Sequence, residues 1–195
     1  EVVKNIYTAS NGNLWLGTDF ALNIFDSRTN TNKALFHNPQ LSYSIANNVI
    51  SQIYEDAGGV LWFVTSNGLS RLSKPGNYYT YHPVSHEFNG QTIGNQVKSA
   101  LITSNGITWL ATLHGVIRMD PVTRGRQIFS TQSAGDRRIL LNNVYALEED
   151  NYGRIWIGTA GGINIWDEAD QKMYAITSNP TNGLITNYIE RFTKA

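Results

Sequence analysis

The stretch Asn13-Leu14-Trp15-Leu16-Gly17-Thr18 decides the fold, because the chain contains it in four related copies. In every copy the tryptophan is followed by a small residue two positions later and by threonine three positions later. The tryptophans lie 47 residues apart. A fixed period between about 20 and 50 residues is typical of repeat architectures. The other three copies are Val60-Leu61-Trp62-Phe63-Val64-Thr65, Ile107-Thr108-Trp109-Leu110-Ala111-Thr112 and Arg154-Ile155-Trp156-Ile157-Gly158-Thr159.

Each repeat is predicted to contain four short strands, and the second repeat shows them most clearly. Its strands are Val49 to Glu55, Val60 to Thr65, Leu69 to Leu72 and Tyr78 to His82, separated by residues typical of turns. A polar link from Pro83 to Asn95 leads to the next repeat. No segment has a sustained 3.6-residue apolar period, so almost no helix is expected. This pattern predicts an all-β fold made of β-propeller blades, each a four-stranded antiparallel sheet.

The blades are expected to pack face to face, with Trp15, Trp62, Trp109 and Trp156 in equivalent buried positions between them. Stacking of these tryptophans on sugars is the alternative. The predicted blades span residues 1–40, 41–88, 89–135 and 136–180, and 181–195 is predicted to be the first strand of a further blade. The chain is therefore expected to be an open part of a larger propeller. Its partners would be further blades of the same parent chain or a second copy.

Composition excludes several function classes. The 195 residues are 41% hydrophobic and 15% charged, which allows a packed core and argues against disorder. The formal net charge is zero, so no basic field favours nucleic acid or an anionic membrane. No apolar run approaches the ~18 residues of a membrane span. A membrane association is therefore expected only through parts of the parent protein outside this chain.

The repeat resembles that of the two-component regulator propellers. The second copy carries the pattern as Asn47-Asn48-Val49, Glu55-Asp56, Gly59, Leu61 to Thr65 and Gly68-Leu69. The fourth copy carries it as Asn142-Asn143-Val144, Glu149-Asp150, Gly153, Ile155 to Thr159 and Gly162-Ile163. The first and third copies depart from it, with Thr8-Ala9 and Thr103-Ser104 where the acidic pair belongs.

The resemblance implies a function that the residues alone do not show. Such repeats fill the periplasmic sensor regions of hybrid two-component systems, which join a sensor histidine kinase to a response regulator in an inner-membrane protein. An oligosaccharide is the ligand that the resemblance implies. The chain itself has no kinase motif, so any kinase activity is expected to lie outside it, and the chain is expected not to be an enzyme.

No catalytic, metal or cofactor site is predicted. His82 and His86 are four residues apart and next to Glu87, but Pro83 and a loop-like sequence argue against the helix that would bring them together. The acidic residues Glu55-Asp56 and Glu148-Glu149-Asp150 each precede a glycine turn at the same repeat position. This repetition favours a structural role.

Ligand binding is predicted for residues that vary between copies, because the scaffold residues are constant. Four such residues are assigned to the end of the blades that carries the strand 2–3 turns and the connections from strand 4 to the next blade. Phe20 could stack on a ligand, His114 could donate a hydrogen bond, and two arginines could bind carboxylates or sulfates. These candidates are Phe20, Arg71, His114 and Arg118. A propeller enzyme of the lyase or glycan-hydrolase type and a purely structural interaction scaffold are the alternative functions.

Overall fold

The computed structural model describes residues 1–195 apart from 11, 42, 57, 74–77, 83–85, 89–90, 94–95, 180, 182–183 and 193–195. For residues 73, 78–82, 86–88 and 91–93 it describes the backbone alone. The described residues form eighteen β-strands and a single turn of 3-10 helix at Gly135–Arg137. They contain no α-helix, as the sequence predicts.

Sixteen strands form four antiparallel sheets of four, and each strand pairs with its neighbour in sequence. These sheets are the four predicted blades. Blade 1 contains β1 (Val3–Thr8), β2 (Leu14–Thr18), β3 (Leu22–Asp26) and β4 (Thr31–Leu35), and blade 2 contains β5 (Ile50–Glu55), β6 (Leu61–Thr65), β7 (Gly68–Ser73) and β8 (Tyr78–His82). Blade 3 contains β11 (Val97–Ile102), β12 (Thr108–Thr112), β13 (Gly115–Met119) and β14 (Arg126–Phe129), and blade 4 contains β15 (Val144–Glu149), β16 (Ile155–Thr159), β17 (Gly162–Asp167) and β18 (Lys172–Ile176).

The link between blades 2 and 3 differs from the prediction of a polar loop. Two short strands, β9 (His86–Phe88) and β10 (Gln91–Ile93), form an antiparallel hairpin there. The sequence around it lacks the apolar alternation that marks a half-buried strand, so periodicity did not predict the hairpin.

The chain divides into two compact units, Glu1–Val97 and Lys98–Ala195. Unit 1 holds blades 1 and 2, and its core lies between them. The indole of Trp15 packs against the ring of Phe63 with centroids 5.4 Å apart, and Ile50 and Ile53 of blade 2 are 0% and 4% exposed. Gly17 permits this approach, because a Cβ at its position would lie 2.9 Å from Cγ2 of Ile50.

Unit 2 holds blades 3 and 4, and its core is more aromatic. Trp109 stacks on Phe129 with centroids 5.3 Å apart, and Phe129 meets Trp166 edge-on at 4.7 Å. All three side chains are at most 1% exposed. Val144 and Leu147 of β15 complete this cluster. In each unit, therefore, the first strand of the even blade packs on the sheet of the odd blade.

The four tryptophans of the repeat occupy the same register but are not equally buried. In strand 3 they face Ile24, Arg71, Arg118 and Ile165 respectively. Trp15 and Trp109 are buried, as predicted, but Trp62 and Trp156 are only partly buried. The prediction of four equally buried tryptophans is therefore wrong for the two even blades. Both of these indoles reach a polar partner at the edge of their own blade.

The segment 184–192 lies against blade 4. A Cβ at Gly158 would lie 2.8 Å from Cγ2 of Ile189, and the amide of Ile189 donates to the carbonyl of Thr159. Phe192 meets Trp156 edge-on at 6.3 Å. Ile189 thus covers Gly158 in the way that Ile50 covers Gly17. The segment contains no β-strand in its described residues, and its assignment to a further blade remains a prediction.

Candidate functional site

A buried threonine builds the turn between strands 2 and 3 in every blade. Its hydroxyl donates to the carbonyl three residues later at 2.8–2.9 Å and accepts from the amide two residues later at 3.0–3.1 Å. Because these bonds involve only the threonine and the backbone, they fix the turn whatever side chain follows. The threonines are Thr18, Thr65, Thr112 and Thr159, and the residues they place at the turn are Phe20, Asn67, His114 and Gly161. The end of each blade that carries this turn is called the apical end below, and the opposite end the basal end.

The connection from strand 4 to the next blade also lies at the apical end. The side chain of an asparagine fixes this connection by a hydrogen bond to its backbone. Asn48 Oδ1 accepts from the His37 amide at 2.6 Å, and Asn142 Oδ1 accepts from the Thr131 amide at 2.8 Å. Asn187 Oδ1 accepts from the Ser178 amide at 2.5 Å in the same way. The structure therefore aligns Asn48 with Asn142. The sequence pattern, which aligned Asn47 with Asn142, is shifted by one residue.

The predicted ligand-binding residues lie at different ends of their blades. Phe20 and His114 are placed at apical turns and are exposed. Arg71 pairs with Trp62 and Arg118 pairs with Trp109, near the starts of β6 and β12, and both arginines therefore lie toward the basal ends of their blades. The expectation that all four lie near the apical ends of their blades is wrong, because both arginines lie in the part of strand 3 that is far from the strand 2–3 turn.

The two arginines already have partners within their units. The guanidinium of Arg71 lies 5.8 Å from the centroid of the Trp62 ring, a cation–π distance. Arg118 Nη2 donates to Glu168 Oε1 at 2.9 Å, and Trp166 Nε1 donates to the other oxygen of Glu168 at 2.7 Å. Arg118 thus links blade 3 to blade 4. Its Nε is buried without a partner in the described part of the chain.

The aspartate of the acidic pair organises its own blade. Asp150 Oδ2 accepts from Trp156 Nε1 at 2.9 Å, and Oδ1 accepts from the amides of Tyr152 and Arg154 at 2.9 and 3.0 Å. Asp56 bonds to Trp62 Nε1 and to two turn amides with the same geometry. These bonds direct the indole N–H groups of Trp62 and Trp156 toward the strand 1–2 turns of their own blades. The sequence interpretation of the acidic residues as structural is confirmed for these aspartates.

The glutamate of the acidic pair bonds to the preceding blade. Glu55 accepts from the amide and hydroxyl of Ser10 at 3.3 and 2.9 Å and from the Tyr7 hydroxyl at 3.2 Å. Glu149 accepts from the amide and hydroxyl of Ser104 at 2.7 and 2.8 Å. We call each of these contacts a Glu–Ser latch. In both units it joins the strand 1–2 turn of the odd blade to the even blade.

The odd blades have other residues at the acidic positions. The turn bond from the amide of Thr103 to the carbonyl of Ile107 matches the bond from Asp150 to Arg154, so Ile102-Thr103 occupies the acidic positions of blade 3. The expectation of Thr103-Ser104 there is shifted by one residue. In blade 1 Ala9 replaces the aspartate, and Trp15 Nε1 is buried without a partner among the described residues.

Acidification is expected to weaken blade 4 through Asp150. Partial burial opposes ionisation, but the bonds from Trp156, Arg154 and Tyr152 outweigh it and lower the pKa of Asp150 from 3.8 to about 2. A carboxylate with a lowered pKa stabilises the fold above its unfolded pKa, and this stabilisation is lost as the pH falls from about 4 to about 2. Urea unfolding should therefore show that the stability gap between wild type and Asp150→Asn narrows over this range. A gap that is constant with pH would contradict the assignment.

The described residues contain no group of three or more His, Cys, Asp or Glu side chains that could hold a metal ion, and the side chains of His82 and His86 lie outside the described part. His37 Nδ1 lies 2.6 Å from the Ile45 carbonyl oxygen and belongs to the connection that follows blade 1. His82 ends β8 and His86 begins β9, so they lie on separate strands.

Comparison with known families identifies the repeat. Segments 1–20, 44–67 and 139–161 match the sequence model of the two-component regulator propeller. The matched segments contain strands 1 and 2 of blades 1, 2 and 4, whereas blade 3, with Ile102-Thr103 at the acidic positions, is unmatched. The resemblance noted in the sequence is thereby confirmed.

Solved structures that resemble these propeller repeats come from proteins of several functions. PorZ, a surface component of the type-IX secretion system of Porphyromonas gingivalis, aligns with a TM-score of 0.66 and 17% identity over 98% of this chain. The extracellular domain assigned to a hybrid two-component system of B. thetaiotaomicron aligns with a TM-score of 0.56 and 16% identity over 96% of this chain. A catalytically inactive variant of virginiamycin B lyase from Staphylococcus aureus aligns with a TM-score of 0.61 and 12% identity over 92% of this chain and 56% of its own length.

These alignments show the fold and not the activity. The chain spans 29% of PorZ and 30% of the B. thetaiotaomicron domain. No curated protein has significant sequence similarity to the chain. In the part of the chain that the structure describes, no helix is long and apolar enough to cross a membrane.

Proposed function

We propose that these repeats form part of the ligand-sensing region of an extracytoplasmic sensor in a hybrid two-component system, and that the sensor responds to an oligosaccharide in the periplasm. The observation that carries the proposal is the match of three segments to the two-component regulator propeller. The likeness to the extracellular domain assigned to a hybrid system of B. thetaiotaomicron supports it.

The division of roles among the residues also supports a binding module. The structural residues of the repeat form the threonine turns and aspartate bonds within the blades and the Glu–Ser latches between the two blades of each unit. The residues at the apical turns differ from blade to blade, and the turns hold them through their backbone amides. Such variable positions on a rigid scaffold are where binding specificity is commonly placed.

An oligosaccharide is expected to raise the melting temperature of the chain, because a ligand that binds only the folded state stabilises it. At one hundred times the dissociation constant the stabilisation is about 2.7 kcal/mol, which corresponds to about 5–10 °C for a protein of this size. Differential scanning fluorimetry with a panel of neutral and anionic oligosaccharides measures this shift. If no sugar shifts the unfolding transition and calorimetry detects no binding, the oligosaccharide part of the proposal is wrong.

The complete gene provides a separate test of the signalling role. It should encode a membrane-spanning helix and a histidine-kinase core in addition to this propeller. A gene that encodes neither the membrane-spanning helix nor the kinase core would contradict the two-component assignment even if a sugar binds.

No turnover is expected when the purified chain is incubated with oligosaccharides, esters or a streptogramin. The carboxylates of the acidic pairs Glu55-Asp56 and Glu149-Asp150 are engaged in the aspartate bonds and latches, which makes them structural. Chromatography of the reaction mixtures checks this prediction. Product formation that disappears in His114→Asn would instead favour the lyase-type alternative, whose fold the chain shares.

A further inference from the structure

Two phenylalanines form an exposed aromatic pair at the apical end of blade 1. Phe20 lies in the strand 2–3 turn and is 59% exposed, and Phe36 directly follows β4 and is 49% exposed. Their ring centroids are 5.7 Å apart and the ring planes meet at 79°. We propose that this pair is the stacking surface of a binding site for an uncharged sugar ring. The inference rests on the proposed function and assigns a place to its ligand.

The fold itself does not require the aromatic pair. The threonine turn that holds Phe20 holds Asn67, His114 and Gly161 in the other blades with the same hydrogen bonds. Strand pairing places Ser130 and Thr177 of unit 2 at the position of Phe36. The same scaffold is thus built with small or polar residues elsewhere in the chain. The two rings are a feature of blade 1 and not of the repeat.

The backbone that carries the pair is held in place before any ligand arrives. The amide of Phe20 donates to Thr18 Oγ1 at 3.1 Å. The residue after Phe36, His37, is fixed by its amide bond to Asn48 and by the contact of its ring with the Ile45 carbonyl. A preorganised site loses little conformational entropy on binding, which favours affinity for a small ligand.

The surroundings favour an uncharged sugar over an anionic one. The connection 36–49 contains no Asp, Glu, Lys or Arg, whereas the equivalent connection 130–143 of unit 2 contains Asp136, Arg137 and Arg138. A connection without Lys or Arg offers uronates and sulfated sugars no cationic partner, whereas the negative face of an aromatic ring attracts the C–H groups of a sugar.

Two other exposed side chains on the connection have the same character. Leu41 is 38% exposed and Tyr43 is 47% exposed. At the positions that correspond to them in the connection of unit 2 stand Gly135 and Arg137. An apolar and aromatic surface with a few polar groups is the usual composition of a small-molecule site.

Isothermal titration calorimetry of the complete chain tests the site. The probes are neutral hexasaccharides from β-glucan, xylan, mannan and arabinan, with oligogalacturonate and heparin fragments as the anionic probes. The variants are Phe20→Asn and Phe36→Ser, which use the residues that the scaffold already carries at Asn67 and Ser130. Each is expected to weaken binding of a neutral hexasaccharide about tenfold or more, as loss of a central aromatic contact does.

Tyr152→Ala is the matched control, because Tyr152 is an aromatic residue that is 84% exposed at the basal end of blade 4. It should leave the affinity unchanged, and all variants should keep the melting temperature of the wild type. Equal binding by wild type and both phenylalanine variants would place the site elsewhere and overturn this inference alone. Binding of the anionic probes only would overturn it as well.

Two further outcomes distinguish a sugar site from a protein contact and from a protein that binds no sugar. If no sugar binds the wild type, both this site and the oligosaccharide ligand of the proposed function fail. If Phe20→Asn and Phe36→Ser abolish self-association in sedimentation without changing sugar binding, the pair is a protein contact and the inference is wrong.

Discussion

Gly162→Ala is expected to lower the free energy of unfolding by about 3 kcal/mol or more. Gly162 is the first residue of β17, and its φ of +128° is rarely adopted by residues that carry a side chain. A Cβ at this position would lie 2.5 Å from the carbonyl oxygen of Ile176. Because the clashing atom belongs to the backbone, no side-chain rotation relieves the clash and the sheet itself would have to move. Gly115, with φ at +121° against the Phe129 carbonyl, is expected to behave in the same way.

Gly153→Ala separates the clash from the effect of a positive φ. Gly153 has φ at +76°, but nothing lies within 4 Å of the position of its Cβ. Its replacement is expected to cost about 1 kcal/mol, the conformational penalty alone. Urea unfolding of the three variants measures the difference. Equal losses for Gly153 and Gly162 would show that the close carbonyl has no influence.

The double variant Val3→Ser/Ile6→Ser is expected to reduce self-association of the chain strongly. Val3 and Ile6 of blade 1 are 51% and 62% exposed, whereas their equivalents Ile50 and Ile53 in blade 2 are 0% and 4% exposed. The residues in blade 2 are covered by the sheet of blade 1. An apolar face of this kind favours association with a further blade, from the parent chain or from a second copy.

Sedimentation velocity and binding of an apolar dye measure the state of this face. Val122→Ser is the control, because Val122 is 89% exposed in the turn between β13 and β14 and outside any blade face. A monodisperse wild-type monomer that binds no dye would contradict the prediction, since the face of blade 1 would then need no partner.

The repeat period predicted the strands well because each tryptophan marks a register that pairing preserves. In the second repeat the bounds of β8 agree with the prediction, β5 and β6 begin one residue later than predicted, and β7 extends one residue further at each end. The partial exposure of Trp62 and Trp156 was not predictable from the period. Burial of the indole depends on whether a following blade of the same unit covers it, as blade 2 covers Trp15 and blade 4 covers Trp109.

The candidate site was only partly predictable. Phe20 stands out in the sequence because it varies within a constant turn, whereas the contrast of Phe36 with Ser130 and Thr177 emerges only after the ends of strand 4 are aligned. Arg71 was assigned to the wrong end of its blade. Its pairing with Trp62, near the strand 1–2 turn, fixes its place, and this pairing follows from the antiparallel register.

The Glu–Ser latches give the chain a second, longer periodicity. Ser10 and Ser104 stand in odd blades and Glu55 and Glu149 in even blades, so donor and acceptor alternate along the chain. A gene that gained or lost one blade would leave a serine turn without its carboxylate or a carboxylate without its serine. Duplication, deletion or grafting of this protein is therefore better carried out in modules of two blades, each bringing both halves of the contact.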